Sequence, residues 1–399
     1  MSAPDTKLTR DAKLLLASLA LKEVPVLFMG AFFVSFIMQN SASEMVSISL
    51  YNIFLHIIVL VAYFLLANWI KRKDRVVVFR AGVASDMFFL SAIVFLGEAV
   101  VGYIIPLSIM VGITAAMYWA PLHYLVAEKV PADSMTRFTG YRALFGGLTK
   151  IVAPIALGIF ITLGSYEEVA KALMAVCLIK FSIAMFIKPS TYRSPNGPDF
   201  KGFWRCTMRH TAIAKMFVIE MLRGISLSAP LGTIITMYTV YMFKTDFKLG
   251  MFTTIFAAFS LATAFLFSRF GSRAMFPRIL AISTLAVFGG VALFVSKPMA
   301  ATFLIYNFVY ATAAALLDKI ALINFYNLSK SSYITKEHKV EYFVFRDAAL
   351  NTGRIISFVG LLLIGIYGGY EWLRWYLIPL TLAAVFVGYL SIGINKHIK

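Results

Sequence analysis

Charge is scarce in this sequence: 14% of its 399 residues are Asp, Glu, Lys or Arg, against 60% hydrophobic, and the mean hydropathy is +0.82. That balance excludes a soluble domain, because one core cannot hide so much apolar surface and the polar gaps between apolar stretches are mostly a few residues long. Cysteine is scarcer still. Cys177 lies in an apolar stretch and Cys206 in a basic loop, so a disulfide framework or a cysteine-based metal site has no material, and no metal or cofactor is expected. Gly-x-Ser-x-Gly, His-Glu-x-x-His and Gly-x-x-x-x-Gly-Lys-Ser/Thr arrangements are also missing, which argues against an integral-membrane enzyme and against a self-contained ATP-driven pump. Met1 to Lys13 is polar and mixed in charge, so no cleaved signal peptide is expected and the first apolar segment should stay in the mature chain.

Acidic residues are half as numerous as basic ones, 19 against 37, and the net charge is +18. In a soluble protein such an excess would suggest nucleic-acid binding. Here the cations sit in short loops between apolar stretches, so they report topology and no nucleic-acid partner is expected.

A membrane span needs roughly 20 apolar residues. The sequence predicts such spans over Ala12–Gln39, Met45–Ile70, Arg75–Gly97, Ala99–Ala127, Thr136–Gly164, Val169–Ile187, Thr211–Phe243, Leu249–Phe267, Ala274–Val295, Met299–Leu328, Glu341–Tyr367 and Leu373–Ile394. Lys and Arg then favour alternate loops. Lys7, Arg10 and Lys13 precede the first span; Lys71, Arg72, Lys73 and Arg75 follow the second; Lys129 and Arg137 follow the fourth. Lys188, Arg193, Lys201, Arg205 and Arg209 follow the sixth, Arg269 and Arg273 the eighth, and Lys330, Lys336 and Lys339 the tenth. By the positive-inside rule both termini are expected in the cytoplasm, with the chain in a bacterial plasma membrane. Lys188 to His210, with Pro189, Pro195, Gly197 and Pro198, reads as an irregular linker. The expected organisation is therefore an all-α protein of about twelve spans, with one six-helix bundle over 1–188, a linker over 189–210 and a second bundle over 211–399.

If the halves are related, positions should match at a fixed offset, and they do at about 200 residues. Gly140-Tyr141-Arg142 in the fifth span is followed by Lys150, and Val344-Phe345-Arg346 in the eleventh is followed by Arg354 at the same distance. Asn68-Trp69-Ile70-Lys71-Arg72-Lys73-Asp74-Arg75 follows the second span, and Ser268-Arg269-Phe270-Gly271-Ser272-Arg273 follows the eighth. These loops resemble the Gly-x-x-x-Asp-Arg-x-Gly-Arg signature of the major facilitator superfamily. Arg269, Gly271 and Arg273 fit it, while Asn68 and Ser268 stand where the family has Asp. Gly146, Gly147, Ala153, Pro154 and Gly158 in the fifth span resemble the glycine-rich signature of its exporters. The resemblance implies a two-bundle alternating-access carrier, expectedly proton-coupled and monomeric. It also implies a gating role for Asn68, Arg75, Arg269, Arg273 and the matched Arg142 and Arg346.

A charge at the centre of a span costs about 2.5–3.5 kcal/mol on insertion scales, so each should face a partner or a water-filled cavity. Lys150 and Arg354, each near mid-span, are expected to face one central cavity from opposite sides. Asp347, Asn351 and Arg354 share one face of the eleventh span, and Asn52, His56 and Tyr63 one face of the second. In the seventh span Glu220 and Arg223 are spaced for an intrahelical pair, with Glu23 of the first span as the other possible partner of Arg223. Asp86 and Lys180 are expected to pair structurally, and Asp318 lies in the tenth span. Tyr118, Trp119 and His123 could stack on a substrate. Lys150, Arg354, Arg223, Asn351, Trp119 and Tyr118 are thus the candidate substrate ligands, and Glu23, Glu220, Asp318 and Asp347 the candidate proton carriers. The function expected is transport of a small anionic or zwitterionic solute or amphiphile. A multidrug exporter, a lipid flippase and, in another class, a channel or scramblase remain open.

Overall fold

The computed structural model describes residues 8–395 apart from 132–133, 191–195, 228, 271–272, 330–333 and 335–337, and not the side chains of Ala127, Thr136, Arg273 and Asn395. Among the described residues ten helical stretches are long and apolar enough to cross a bilayer. One of them, Arg75–Val126, contains two spans, Arg75–Leu96 and Ile104–Lys129, joined by a 3-10 turn over Gly97–Tyr103. A further helix, Tyr166–Met185, carries Glu167, Glu168, Lys171 and Lys180 and completes the twelve expected spans.

The other spans of the first half are Arg10–Asn40, Glu44–Arg72 and Met135–Leu163, and those of the second are Thr211–Phe243, Asp246–Phe270, Phe276–Ser296, Ala300–Ser329, Lys339–Tyr367 and Gly369–Asn395. Polar side chains start several of them: the Ala12 amide donates to Thr9 Oγ1 at 3.2 Å and the Val76 amide to Asp74 Oδ1 at 2.9 Å. Gly97 ends the third span at φ 51°, where a side chain would be strained. The linker is less irregular than its prolines predict, because Phe200–Arg209 forms a helix whose Asp199 cap accepts from the Gly202 amide at 2.8 Å.

Two spans are interrupted at matched positions. A π turn over Phe28–Phe32 divides the first, and the seventh breaks at Leu227. The tenth has its own π turn over Tyr310–Ala314. Such turns leave backbone groups outside the regular ladder and are tolerated where the helix lines a cavity.

An even number of spans brings both termini to one end of the molecule. At the other, far end, a single apolar cluster joins the halves, with Phe33, Ile37 and Phe89 from the first and Met237, Phe294 and Leu377 from the second. At the termini end the halves keep separate cores, one around Leu15, Phe79 and Leu125, the other around Met216, Leu317 and Tyr342. A small group of Ala67, Val340 and Val344 bridges them there. Glycines set the closest approaches. A Cβ on Gly224 would collide with the Leu350 carbonyl oxygen, so spans seven and eleven touch closely within the second half. A Cβ on Gly250 would collide with the Pro154 carbonyl oxygen, so spans five and eight touch backbone to backbone across the two halves.

Candidate functional site

Between the halves lies a cavity of about 610 Å³, walled by spans one, two and four of the first half, with Asp86 of the third, and by spans seven, eight and ten of the second. Val26, Met29, Leu55, Val111, Phe252 and Phe256 make it largely apolar, while Thr114, Thr233, Thr236 and Asn307 supply neutral polar groups. Gly30 and Gly232, at matched places beside the two interrupted helices, have only open space where a Cβ would stand. The formal charges among the described lining residues are Lys22 and Asp86.

Asp86 is shared. Lys22 Nζ donates to its Oδ1 at 2.5 Å, Lys180 Nζ donates to its Oδ2, and all three side chains are buried. Both ammonium groups also lie over the Tyr118 ring, at 4.8 and 5.6 Å from its centroid. The expected Asp86–Lys180 pair is therefore present, but Lys22 joins it and carries it to the cavity wall. The sequence held a signal for this, since Lys22, Val26, Met29 and Gly30 recur at helical spacing and all line the cavity. Trp119 lines the cavity and packs edge-on to Tyr118.

Lys150 and Arg354 do not meet across this cavity, contrary to expectation. Lys150 is 62% exposed and 3.7 Å from Glu23, so its charge is answered by the first span. Arg354 donates to Asn351 Oδ1 at 3.4 Å, and that oxygen also lies 2.9 Å from His56 Nδ1. The polar faces of the second and eleventh spans thus come together at this point. Asn351 returns its amide to the Asp347 carbonyl at 2.8 Å.

The second half contains a chain of alternating charge. Arg223 bonds Asp318 at 2.6 Å and Glu220 Oε1 at 2.6 Å; Arg346 bonds Glu220 Oε2 at 3.0 Å and Asp347 at 2.7 Å. The intrahelical Glu220–Arg223 pair is present, extended by residues from two other spans. Arg346 is tied within this chain and lies over the Phe325 ring; Arg346 and the matched Arg142 are both half-buried. Of the expected gating residues, Arg75 is buried and bonds the Ile70 carbonyl at 2.6 Å and Glu128 at 3.5 Å. Asn68 and Arg269 are exposed, and the Arg273 side chain lies outside the described residues.

Sequence reasoning also missed buried carboxylate contacts that join the halves at both ends. At the termini end Lys71 bonds Glu341 at 2.6 Å, and the Asp199 amide donates to the same carboxylate at 2.7 Å. At the far end Asp246, which opens the eighth span, accepts from Ser35 Oγ at 2.6 Å, Tyr166 Oη at 2.8 Å and Gln39 Nε2 at 2.9 Å. It is the buried carboxylate that lacks a cationic partner among the described residues. All its donors come from the first half, so far-end opening must break every one. Asp246→Ala should therefore favour that opening: a cysteine at Thr239, with Cys177 and Cys206 replaced by serine, should react with an impermeant thiol reagent about tenfold faster, each lost bond to a charged group being worth about 1.5–3 kcal/mol. Unchanged labelling would show that the clasp does not hold the far end.

No family model matches the sequence. The uncharacterized protein YqgE of Bacillus subtilis strain 168 is 21% identical over 340 residues, covering 83% of this chain and 77% of YqgE. A crystal structure of a bacterial homologue of the iron transporter ferroportin, in its inward-facing state, matches with a TM-score of 0.65 at 14% identity, over 98% of this chain and 100% of that one. The human organic anion transporter MFSD10 (TETRAN) matches with a TM-score of 0.66 at 10% identity, over 98% and 99%. The outward-facing ferroportin homologue gives 0.62 at 15% identity, over 98% and 100%. With twelve helical spans in two similar halves and full-length likeness to these structures, the chain has the fold of the major facilitator transporters.

Proposed function

We propose that this protein is a secondary transporter that carries an amphiphilic organic anion through the central cavity by alternating access. The observation that carries this reading is the Lys22–Asp86–Lys180 group, two cations on one carboxylate, buried at the wall of an otherwise uncharged and largely apolar cavity between the halves. Its formal charge is +1, and a desolvated excess charge is best satisfied by an anion, while the Met, Val and Phe lining suits an apolar body. Among proteins of this fold, the ferroportin homologue is related to an iron transporter and MFSD10 is an organic anion transporter. Cavity chemistry favours the second comparison. A divalent metal needs several free oxygen or imidazole ligands; His56 lines the cavity, but Asp86 is already held by two lysines and no group of three His, Cys, Asp or Glu side chains gathers among the described residues.

In this reading Lys22 is the main anion contact, with Trp119 in the wall and Tyr118 buried behind it. Lys150, Arg223, Asn351 and Arg354 belong to the path between the cavity and the termini end. Glu23 and Asp318, at 23% and 36% side-chain exposure, are open to water, which suits proton coupling better than the buried Glu220 and Asp347. The Lys and Arg distribution supports a cytoplasmic termini end in a plasma membrane. One chain walls the whole cavity, so a monomer suffices.

The test is transport by purified protein in liposomes, using a sulfonated amphiphile such as taurocholate as substrate. Lys22→Met should lower uptake about tenfold or more, the worth of one charge-assisted hydrogen bond, and Lys22→Arg should keep most of it. Saturable counterflow is expected of a carrier, whereas unsaturable flux would indicate a channel or scramblase. Undiminished taurocholate uptake by Lys22→Met, or carriage of cationic dyes by that variant, would replace the anion reading with the multidrug one.

A further inference from the structure

We infer that the linker helix Phe200–Arg209 is a binding surface for anionic phospholipid, a site separate from the transport cavity. The helix has two faces. Phe203 and Thr207 are buried against the second half, with Phe203 in ring contact with Phe217, Tyr342 and Phe345. On the outer side Lys201, Arg205 and Arg209 follow one another at four-residue spacing and form a single exposed cationic stripe. Beside it Trp204 and Met208, also four apart, are 51% and 68% exposed.

This combination is unusual for a helix that faces water alone. A solvated helix has no need of Trp and Met in the open, and a helix packed under protein would not leave three cations bare. At a bilayer surface both features are satisfied: the indole and thioether enter the headgroup boundary and the cations meet lipid phosphates. The position of the helix agrees. Arg209 is followed by His210, and the seventh span begins at Thr211, so the helix lies where a span leaves the membrane. The Asp199 amide at its start bonds Glu341, beside the first turn of the eleventh span, which fixes it at the same level. One face of Trp204 stacks on Phe345 at 5.8 Å between centroids, so the indole is held in place rather than free to turn inward. Arginine and lysine spaced over about 12 Å, eight residues of helical rise, match several headgroups rather than one small ion.

Brominated lipids quench a nearby indole, so the test reads Trp204 directly as the difference between the natural protein and Trp204→Phe. In phosphatidylcholine nanodiscs with about a fifth of the lipid replaced by dibromo-phosphatidylglycerol, quenching of the Trp204 signal should exceed that from the same fraction of dibromo-phosphatidylcholine by about twofold or more. The preference should vanish in Lys201→Gln/Arg205→Gln/Arg209→Gln and weaken at high salt, since surface attraction is screened. Equal quenching by the two lipids, or a preference that survives in the triple variant, would overturn the anionic selectivity. Absence of quenching by either lipid would overturn membrane contact altogether. The lipid-composition comparison uses the unaltered charge stripe, so it decides the matter even if the triple variant folds poorly.

Discussion

Glu220→Gln is expected to cost about 3–5 kcal/mol of stability, the typical effect of removing one partner from a buried ionic group. Glu220 is fully buried and occupies both its oxygens, Oε1 with Arg223 and Oε2 with Arg346. A glutamine offers one acceptor and turns an amide donor towards the other guanidinium, leaving two buried arginines beside each other with reduced compensation. Asp318→Asn provides the internal comparison. Asp318 bonds the same Arg223, but its side chain is 36% exposed, so water can take its place and the loss should stay near or below about 1 kcal/mol. The double variant Glu220→Gln/Arg346→Met should recover part of the loss, because it removes the cation that the first change orphans. Unfolding by SDS titration in mixed micelles measures all three. Equal losses for the two single variants would mean that the alternating chain does not act as a buried unit.

The geometry of that chain also marks where sequence reading stops. Glu220 and Arg223 lie three residues apart on one helix, so their pairing could be read from spacing alone. Arg223 and Asp318 are 95 positions apart, and Glu220 and Arg346 are 126 apart. Those contacts depend on which face each span turns to its neighbours, and overall hydropathy does not record it. The twelve spans were legible because lipid demands long apolar runs whatever the packing. The polar faces of the second and eleventh spans were likewise legible one at a time, as Asn52–His56 and Asn351–Arg354 repeats, while the His56–Asn351 contact between them was not.

The central cavity shows the same limit in a more consequential form. Depth along a span pointed to Lys150 as a cation facing the central cavity, yet it is absent from the cavity lining and pairs, exposed, with Glu23. Lys22 sits beside Glu23 in sequence and was passed over, although a helical step of about 100° sends it to the cavity and to Asp86 instead. Asp246 lay outside the expected eighth span, Leu249–Phe267, because a carboxylate at a span's edge reads as loop. Its three donors come from the ends of the first and sixth spans, a convergence that only the folded chain provides.

Lys180→Met is expected to leave the protein as stable as before, or more so by about 1 kcal/mol, while lowering uptake of an amphiphilic anion about tenfold. Two lysines share one carboxylate here, so removing Lys180 leaves Lys22 and Asp86 as a balanced pair and takes one ammonium out of a buried site that otherwise holds excess charge. The functional cost has a separate origin. With Lys180 present, Lys22 can turn from Asp86 to a substrate anion while Asp86 stays paired. Without it that turn would strand a buried carboxylate, so Lys22 stays where it is and the anion loses its partner. Asp86→Asn should do the reverse to stability. It sets two buried ammonium groups against each other over the Tyr118 ring and should cost about 3–5 kcal/mol, much of which a bound anion should restore by binding the folded state alone. Thermal unfolding with and without taurocholate, measured for both variants, separates the two effects. If Lys180→Met destabilises the protein as strongly as Asp86→Asn, or transports undiminished, the shared carboxylate is a structural clamp and the anion is held elsewhere.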